Sequence, residues 1–292
     1  MDMFLLAMLR ACDYALIAVG FALVFGSCRV LNLMHGSFVM LGAYGTHLCT
    51  VLLAGGHPAT PGLLIGAVAL STGTVALLGF GFFKLLQMTR RTRPEEVLAI
   101  SLTGNLFIAA LVKYRFGTEG ANVQPILGGA SEWLGVALPN NDLLTPPAAL
   151  LTLGTLWWWL NRTRSGLALR AVADDALSAT LMGVNSDRLL AMAVGIAAFI
   201  AALAGALRAP SLTLSHTMWI PPLLISFAVV VFGGRNSLPG VVASALLLAT
   251  AETVTSYMWN ESASQYVSLL MVVAGLYLFP QGLAGTPRHE NR

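Results

Sequence analysis

Residues 15–45 read ALIAVGFALVFGSCRVLNLMHGSFVMLGAYG. Two apolar runs flank a short break that holds Arg29, Asn32 and His35. An α-helix needs about 20 apolar residues to cross a bilayer core roughly 30 Å thick. The break is therefore read as a turn between two membrane spans, with Arg29 on the cytoplasmic side. Composition extends that reading to the whole chain, which has 292 residues, 57% of them hydrophobic and only 10% charged, with a mean hydropathy of +0.76. A soluble domain carries about 25% charged residues because water wets its exterior. Most of this exterior must face lipid, so the fold class is an all-α, polytopic transmembrane helix bundle.

Cutting the chain at its charge and Pro/Gly clusters predicts about nine spans, near 4–27, 33–54, 61–86, 95–112, 142–160, 189–208, 219–233, 239–258 and 263–280. Eight and ten stay open, because 95–112 includes Asn105 and 219–233 is short for a crossing. With the C-terminus inside, Arg10, Lys113, Arg115 and Arg208 lie outside and the other twelve of the 16 Lys and Arg lie inside. Short basic loops stay in the cytoplasm, so an N-out, C-in orientation is expected. MDMFLLAMLRACDYAL begins with an acid and runs straight into the first apolar segment, so no cleavable signal peptide is expected. One transmembrane domain over 1–292 accounts for this pattern.

Two connections exceed the 2–8 residues usual between helices. The outer loop, 113–141, is rich in Gly, Pro and Asn and reads equally as a folded-back hairpin or as a docking surface for an outside protein. The inner loop, 161–188, carries Leu169, Val172, Ala173, Ala176, Leu177 and Leu181 at three- and four-residue intervals, the apolar face of one short amphipathic helix. Arg170 and Asp174 sit four apart and are placed to pair. Gly183 is the expected stop, with Asn185 or Ser186 capping the next helix. A helix lying on lipid headgroups remains the alternative.

Chemical motifs are scarce. There is no phosphate-cradling G-x-x-x-x-G-K-[ST], no H-E-x-x-H, no C-x-x-C and no G-x-S-x-G, and the three cysteines lack metal-ligand spacing. No catalytic residue, cofactor or metal is expected. Ser37 beside His35 is the nearest approach to a nucleophile and base, but residues two apart on a helix do not face each other. Ionisable groups inside spans are the functional suspects, because each costs roughly 2.5–3.5 kcal/mol at mid-membrane. Glu252 is the clearest, read first as a tie between helices and otherwise as a proton or substrate group. Asp13 lies three residues from Arg10 and is placed to pair with it, while His47 and Asn105 are neutral or nearly so. Gly42 with Thr46, Gly62 with Gly66, and Gly195 with Phe199 and Ala202 predict close helix contacts. Asn32 is the expected N-cap of the second span, with Asn32, His35 and Gly36 on one face.

Residues 15–45, RTRSGLALRAVADDALSATLMGVNSDRLL (162–190), IAAFIAALAGAL (196–207) and FAVVVFGGRNSLPGVVASALLLATAE (227–252) together resemble a permease subunit of branched-chain amino acid ABC importers. The family's Asn-x-x-His-Gly entry is present as Asn32, His35 and Gly36. Its Gly-Gly-x-x-Ser-x-Pro-Gly turn is present as Gly233, Gly234, Ser237, Pro239 and Gly240. The resemblance implies a bacterial inner-membrane subunit that binds no ATP itself. It also implies two ATP-binding cassette subunits, a second related permease or a second copy, and an extracytoplasmic solute-binding protein. The inner loop then resembles the element coupled to the ATPase, through Arg170, Asp174, Asp175, Ala176, Ala179 and Gly183. The general importer motif has Glu-Ala-Ala where this chain has Leu177-Ser178-Ala179, a departure at the level of contacts. Asn32, His35, Gly36, Asn105 and Glu252 are the candidate pathway or gate residues. Urea, short amides and other small solutes remain open as cargo, as does an ion-coupled secondary transporter built on Glu252.

Overall fold

The computed structural model describes residues 2–55, 59–118, 120–133, 136–234 and 237–278. Among these residues, each expected span is a helix. Five precede the inner loop: α1 (Asp2–Cys28), α2 (His35–Ala54), α3 (Pro61–Met88), α4 (Pro94–Phe116) and α5 (Thr145–Arg162). The loop itself holds α6 (Arg164–Asp174) and α7 (Ala176–Leu181), and α8 (Ser186–Arg208), α9 (Ile220–Gly233), α10 (Leu238–Met258) and α11 (Glu261–Leu278) follow. Arg235, Arg288 and Arg292, and residues 279–280 of the last expected span, lie outside the described residues. Seven helices among the described residues are long and apolar enough to cross a bilayer: α1 to α4, α8, α10 and the Asp142–Arg162 stretch containing α5. The 14 residues of α9 reach only about 21 Å.

The centre of the bundle is α1, where Leu16, Ile17, Ala18 and Val19 are all buried in succession. Four consecutive buried positions cover every side of a helix, so α1 is enclosed, packed against α8, α9 and α10. Alanines along α8 let its neighbours come close. A Cβ on Gly42 of α2 would fall 2.1 Å from the Ala202 carbonyl oxygen, and one on Gly205 of α8 would fall 1.9 Å from that of Val39. The two backbones touch there, which only glycine permits. Gly195 likewise meets α3 at Phe80 and Ala76, as its spacing predicts. Gly62 and Gly66 do not act this way. They face open space, because α3 buries the opposite side through Ala67, Ser71, Val75 and Gly79.

Helix ends follow local chemistry. Thr60 accepts a hydrogen bond from the Leu63 N–H ahead of Pro61, and Pro94 opens α4 with Glu95 and Glu96 in the first turn. The α9–α10 turn is built by the Gly-Gly-x-x-Ser-x-Pro-Gly pattern: Ser237 caps α10 on the Gly240 N–H at 3.1 Å, and a Cβ on Gly233 would fall 2.5 Å from the Gly240 carbonyl oxygen.

The outer loop starts later than expected, since α4 runs on to Phe116. It folds back as an antiparallel hairpin, β1 (Ala130–Trp133) with β2 (Val136–Pro139). Asn141 ties it to the bundle, accepting from the Ile126 N–H and donating to the Leu207 carbonyl, both at 3.0 Å. At the same end Asp13 pairs with Arg208 at 3.4 Å rather than with Arg10. The two ends of the molecule are thus distinct, with Arg208 and the hairpin at one and Arg29 and the inner loop at the other.

Candidate functional site

The inner loop is two helices, not the single one its periodicity predicts. Thr163 caps α6 on the Gly166 N–H at 3.1 Å, and a Cβ on Gly166 would fall 2.1 Å from the Trp159 carbonyl oxygen, so α5 doubles back sharply. Leu169 and Val172 of α6 are buried against the bundle. Asp175 then breaks the run: its backbone is extended (φ −148°, ψ 102°). Its carboxylate accepts from the Leu177 and Ser178 N–H groups at 3.0 and 3.2 Å, capping α7. An aspartate offers a strong local alternative to helix continuation, and here it wins over the apolar period. The Ser178 hydroxyl, more than any other group, holds the Asp175 carboxyl below its ordinary pKa, assisted by backbone N–H groups and by Arg29.

Gly183 ends α7 at φ +86°. Its N–H donates to Thr180 at 2.9 Å and that of Val184 to Ala179 at 3.1 Å, a Schellman closure. Asn185 rather than Ser186 caps α8, on the Arg188 N–H at 3.0 Å. Arg170 does not pair with Asp174; it donates to Asn161 at 2.9 Å. Ala179 is buried, whereas Leu177, Leu181 and Met182 are 72%, 80% and 87% exposed. The break at Asp175 rotates α7 so that the second half of the predicted apolar face points away from the bundle.

The remaining candidates sit inside the bundle. Asn32 does not cap α2, which begins after Met34; its side chain instead accepts from the Met34 N–H at 3.1 Å, an Asx-type turn. It therefore shares no helix face with His35 and Gly36. His35 is buried between α1 and α2, edge-on to Phe21 with ring centroids 5.4 Å apart. A Cβ on Gly36 would fall 2.3 Å from the Trp219 carbonyl oxygen, fixing the approach of α9. Asn105, fully buried on α4, accepts from the Ser37 hydroxyl of α2, while its side-chain Nδ2 has no hydrogen-bond partner among the described residues. Glu252 of α10 accepts from the Tyr14 hydroxyl of α1. Asn105 and Glu252 thus serve different helix pairs. His47 packs edge-on against Phe116. Among the described residues no three His, Cys, Asp or Glu side chains converge on a metal-sized site.

Tyr14, Ser37, Ser101 and Arg29 were missed as partners. The Ser101 hydroxyl accepts from the Leu33 N–H at 3.0 Å, and Arg29 donates to Ala173 and Asp174 carbonyls. All are contacts across 68 or more residues, and no local spacing signals them. A cleft of about 250 Å³ lies behind α6, lined by Leu23, Ser27, Leu160, Leu169 and Ser237 among others.

Residues 3–276 match the family described as "Branched-chain amino acid transport system / permease component". The high-affinity branched-chain amino acid transport system permease protein BraD of Pseudomonas aeruginosa is 27% identical over 289 residues, covering 95% of this chain and 93% of BraD. The corresponding LivH of Escherichia coli K12 is 26% identical over 285 residues, covering 95% and 92%. Among solved structures, a chain of PsaBC from Streptococcus pneumoniae in complex with Fab aligns with a TM-score of 0.54 at 14% identity, over 96% of this chain and 93% of that one. That likeness establishes a shared fold.

Proposed function

We propose that this chain, which belongs to the permease-component family of branched-chain amino acid transport systems, forms the membrane pathway of an ATP-driven importer for branched-chain amino acids. The observation that carries the reading is the match of nearly the whole chain to that family and to BraD and LivH. The protein is a multi-pass membrane permease, and transport rather than catalysis is its family's role. On our reading it is one domain over residues 1–292 in the bacterial cytoplasmic membrane, N-out and C-in. Two ATPase subunits bind inside, an extracytoplasmic solute-binding protein docks outside, and a second related permease or second copy completes the pathway.

The inner loop supports the coupling assignment. Leu177, Leu181 and Met182 are large, apolar and uncovered on a segment too short to cross lipid, the signature of a surface awaiting a partner. Arg170, Asp174, Asp175, Ala176, Ala179 and Gly183 shape or border that surface. ATP binding brings the ATPases together, α6 and α7 move with them, and the bundle alternates between outward- and inward-facing states. Cargo biases this equilibrium only through its differential affinity for the two states, so a weak site suffices. Asn32, His35, Gly36, Asn105 and Glu252 hold together the helices that border the pathway.

An ion-coupled transporter built on Glu252 is disfavoured because that carboxylate is engaged by Tyr14 between α1 and α10. The test is reconstitution with the cognate ATPases and binding protein in proteoliposomes, reading radiolabelled leucine uptake with ATP inside. Uptake that requires ATP and binding protein is expected. Uptake by the permease alone under an ion gradient refutes the reading, and uptake of urea or a short amide in place of leucine reassigns the cargo.

A further inference from the structure

Arg29 stands at the turn between α1 and α2 with φ +55°, the left-handed region that a side chain with a Cβ rarely occupies. Its guanidinium Nη2 donates to the Ala173 carbonyl at 2.7 Å and to the Asp174 carbonyl at 3.1 Å, 144 and 145 residues away. These carbonyls belong to the last turn of α6, where the helix leaves acceptors unpaired and its dipole is negative. Arg29 thus caps α6 from another part of the chain, at the point where Asp175 breaks α6 from α7. Asp175 feels the same guanidinium, which helps hold its carboxyl ionised. A basic residue that served only to keep a loop inside the cell would not need a strained backbone or two specific carbonyls.

We infer that Arg29 is the positioning residue through which movement of the α6–α7 loop is passed to the α1–α2 turn, and so to the central helix of the bundle. The inference rests on the importer reading above. At the break α6 has no other charged side chain donating to its final carbonyls among the described residues. Its other attachments include Leu169 and Val172, which are apolar packing, and the Trp159–Ser165 and Arg170–Asn161 bonds back to its neighbour α5. Leu169 packs in the cluster that holds Leu16, Val19 and Leu23 of α1, but among the described residues the hydrogen-bonded link from the last turn of α6 to the α1–α2 turn is the guanidinium. Lysine is not equivalent, since one ammonium on a flexible stem does not present the planar donor set of a guanidinium.

The test uses the assembled importer in proteoliposomes, with leucine uptake and ATP hydrolysis read from the same preparation for Arg29→Gln, Arg29→Lys and Arg29→Gly. Expected for Gln and Gly are intact assembly, continued hydrolysis and uptake per ATP lowered by about tenfold, within the usual range of coupling between sites. Lys falls between these and the parent. Arg29→Gly separates backbone from side chain: it accepts φ +55° freely, so thermal stability is kept while coupling is lost. Parent-level uptake per ATP in the Gln or Gly variant overturns the inference, and so does failure of all three to assemble. If the parent complex itself shows no ATP-driven uptake, the importer reading is what fails. Amide hydrogen exchange in the purified permease then decides the tie on its own. Faster exchange at residues 171–178 in Arg29→Gln, with residues 190–206 unchanged, supports it, and unaltered exchange at 171–178 refutes it.

Discussion

Nε2 of His35 lies 2.9 Å from the carbonyl oxygen of Ile17, joining the first turn of α2 to the middle of α1. A carbonyl only accepts, so this ring nitrogen carries the proton. The imidazole is also enclosed by Phe21 and by Gly20, where an added Cβ would fall 3.2 Å from the ring. His35 is a packed strut rather than a base.

His35→Ala should therefore act on stability. Loss of a buried ring and its hydrogen bond costs about 2–4 kcal/mol. Thermal unfolding in detergent is expected to shift down, while uptake per correctly assembled complex stays near the parent value. A selective loss of uptake with unchanged stability would place His35 in the gate instead.

Two glycines separate close packing from mere composition. Gly42→Ala drives a methyl group into the Ala202 carbonyl and should destabilise by about 1–3 kcal/mol. Gly66→Ala adds a methyl group into open space and should be neutral or stabilising by up to about 1 kcal/mol. Unfolding of the two variants side by side checks the contrast, which fails if both behave alike.

Glu252→Gln keeps an acceptor for the Tyr14 hydroxyl and replaces the carboxyl group with an amide. Interhelical hydrogen bonds in membranes average only about 0.6 kcal/mol, so assembly and uptake should survive, with no change in their dependence on a pH gradient. Abolished uptake in this variant, measured at equal assembly, would show that the carboxyl group itself is used.

Asp175 sets a pH limit on the inner loop. Its pKa is lower in the folded loop than in an unfolded chain, so the cap contributes fully above the ordinary carboxylate value of about 3.9. That contribution is lost as pH falls through the depressed folded value. Hydrogen exchange at the Leu177 and Ser178 amides, corrected for intrinsic rates, should stay slow from neutral pH down to the ordinary value and accelerate below it. Asp175→Ala should exchange rapidly at neutral pH, and equal protection in that variant would rule out the cap.

Much of this protein is legible in the order of its residues. Apolar runs of about 20 residues must become helices, because a backbone in lipid has no water to bond with. Hence the run boundaries mark α1 to α5 and α8 to α11 within a few residues. Local chemistry also shows in sequence, as with Gly183 ending α7 and Asn185 capping α8. The periodicity of 169–181 suggested one helix, since period alone does not weigh the competing hydrogen bonds that a single aspartate offers at Asp175.

What only the tertiary structure decided are the partnerships between distant segments. Asp13 chose Arg208 over its near neighbour Arg10, and Glu252 met Tyr14. Arg29, an ordinary inside charge in the sequence, reached the end of α6. Gly42 and Gly66 look alike in sequence, yet one touches a neighbouring backbone and the other faces open space. The physical reason is common to all of these. Helix formation depends on groups within four residues of each other, whereas salt bridges, caps from afar and backbone contacts depend on how finished helices rotate and pack.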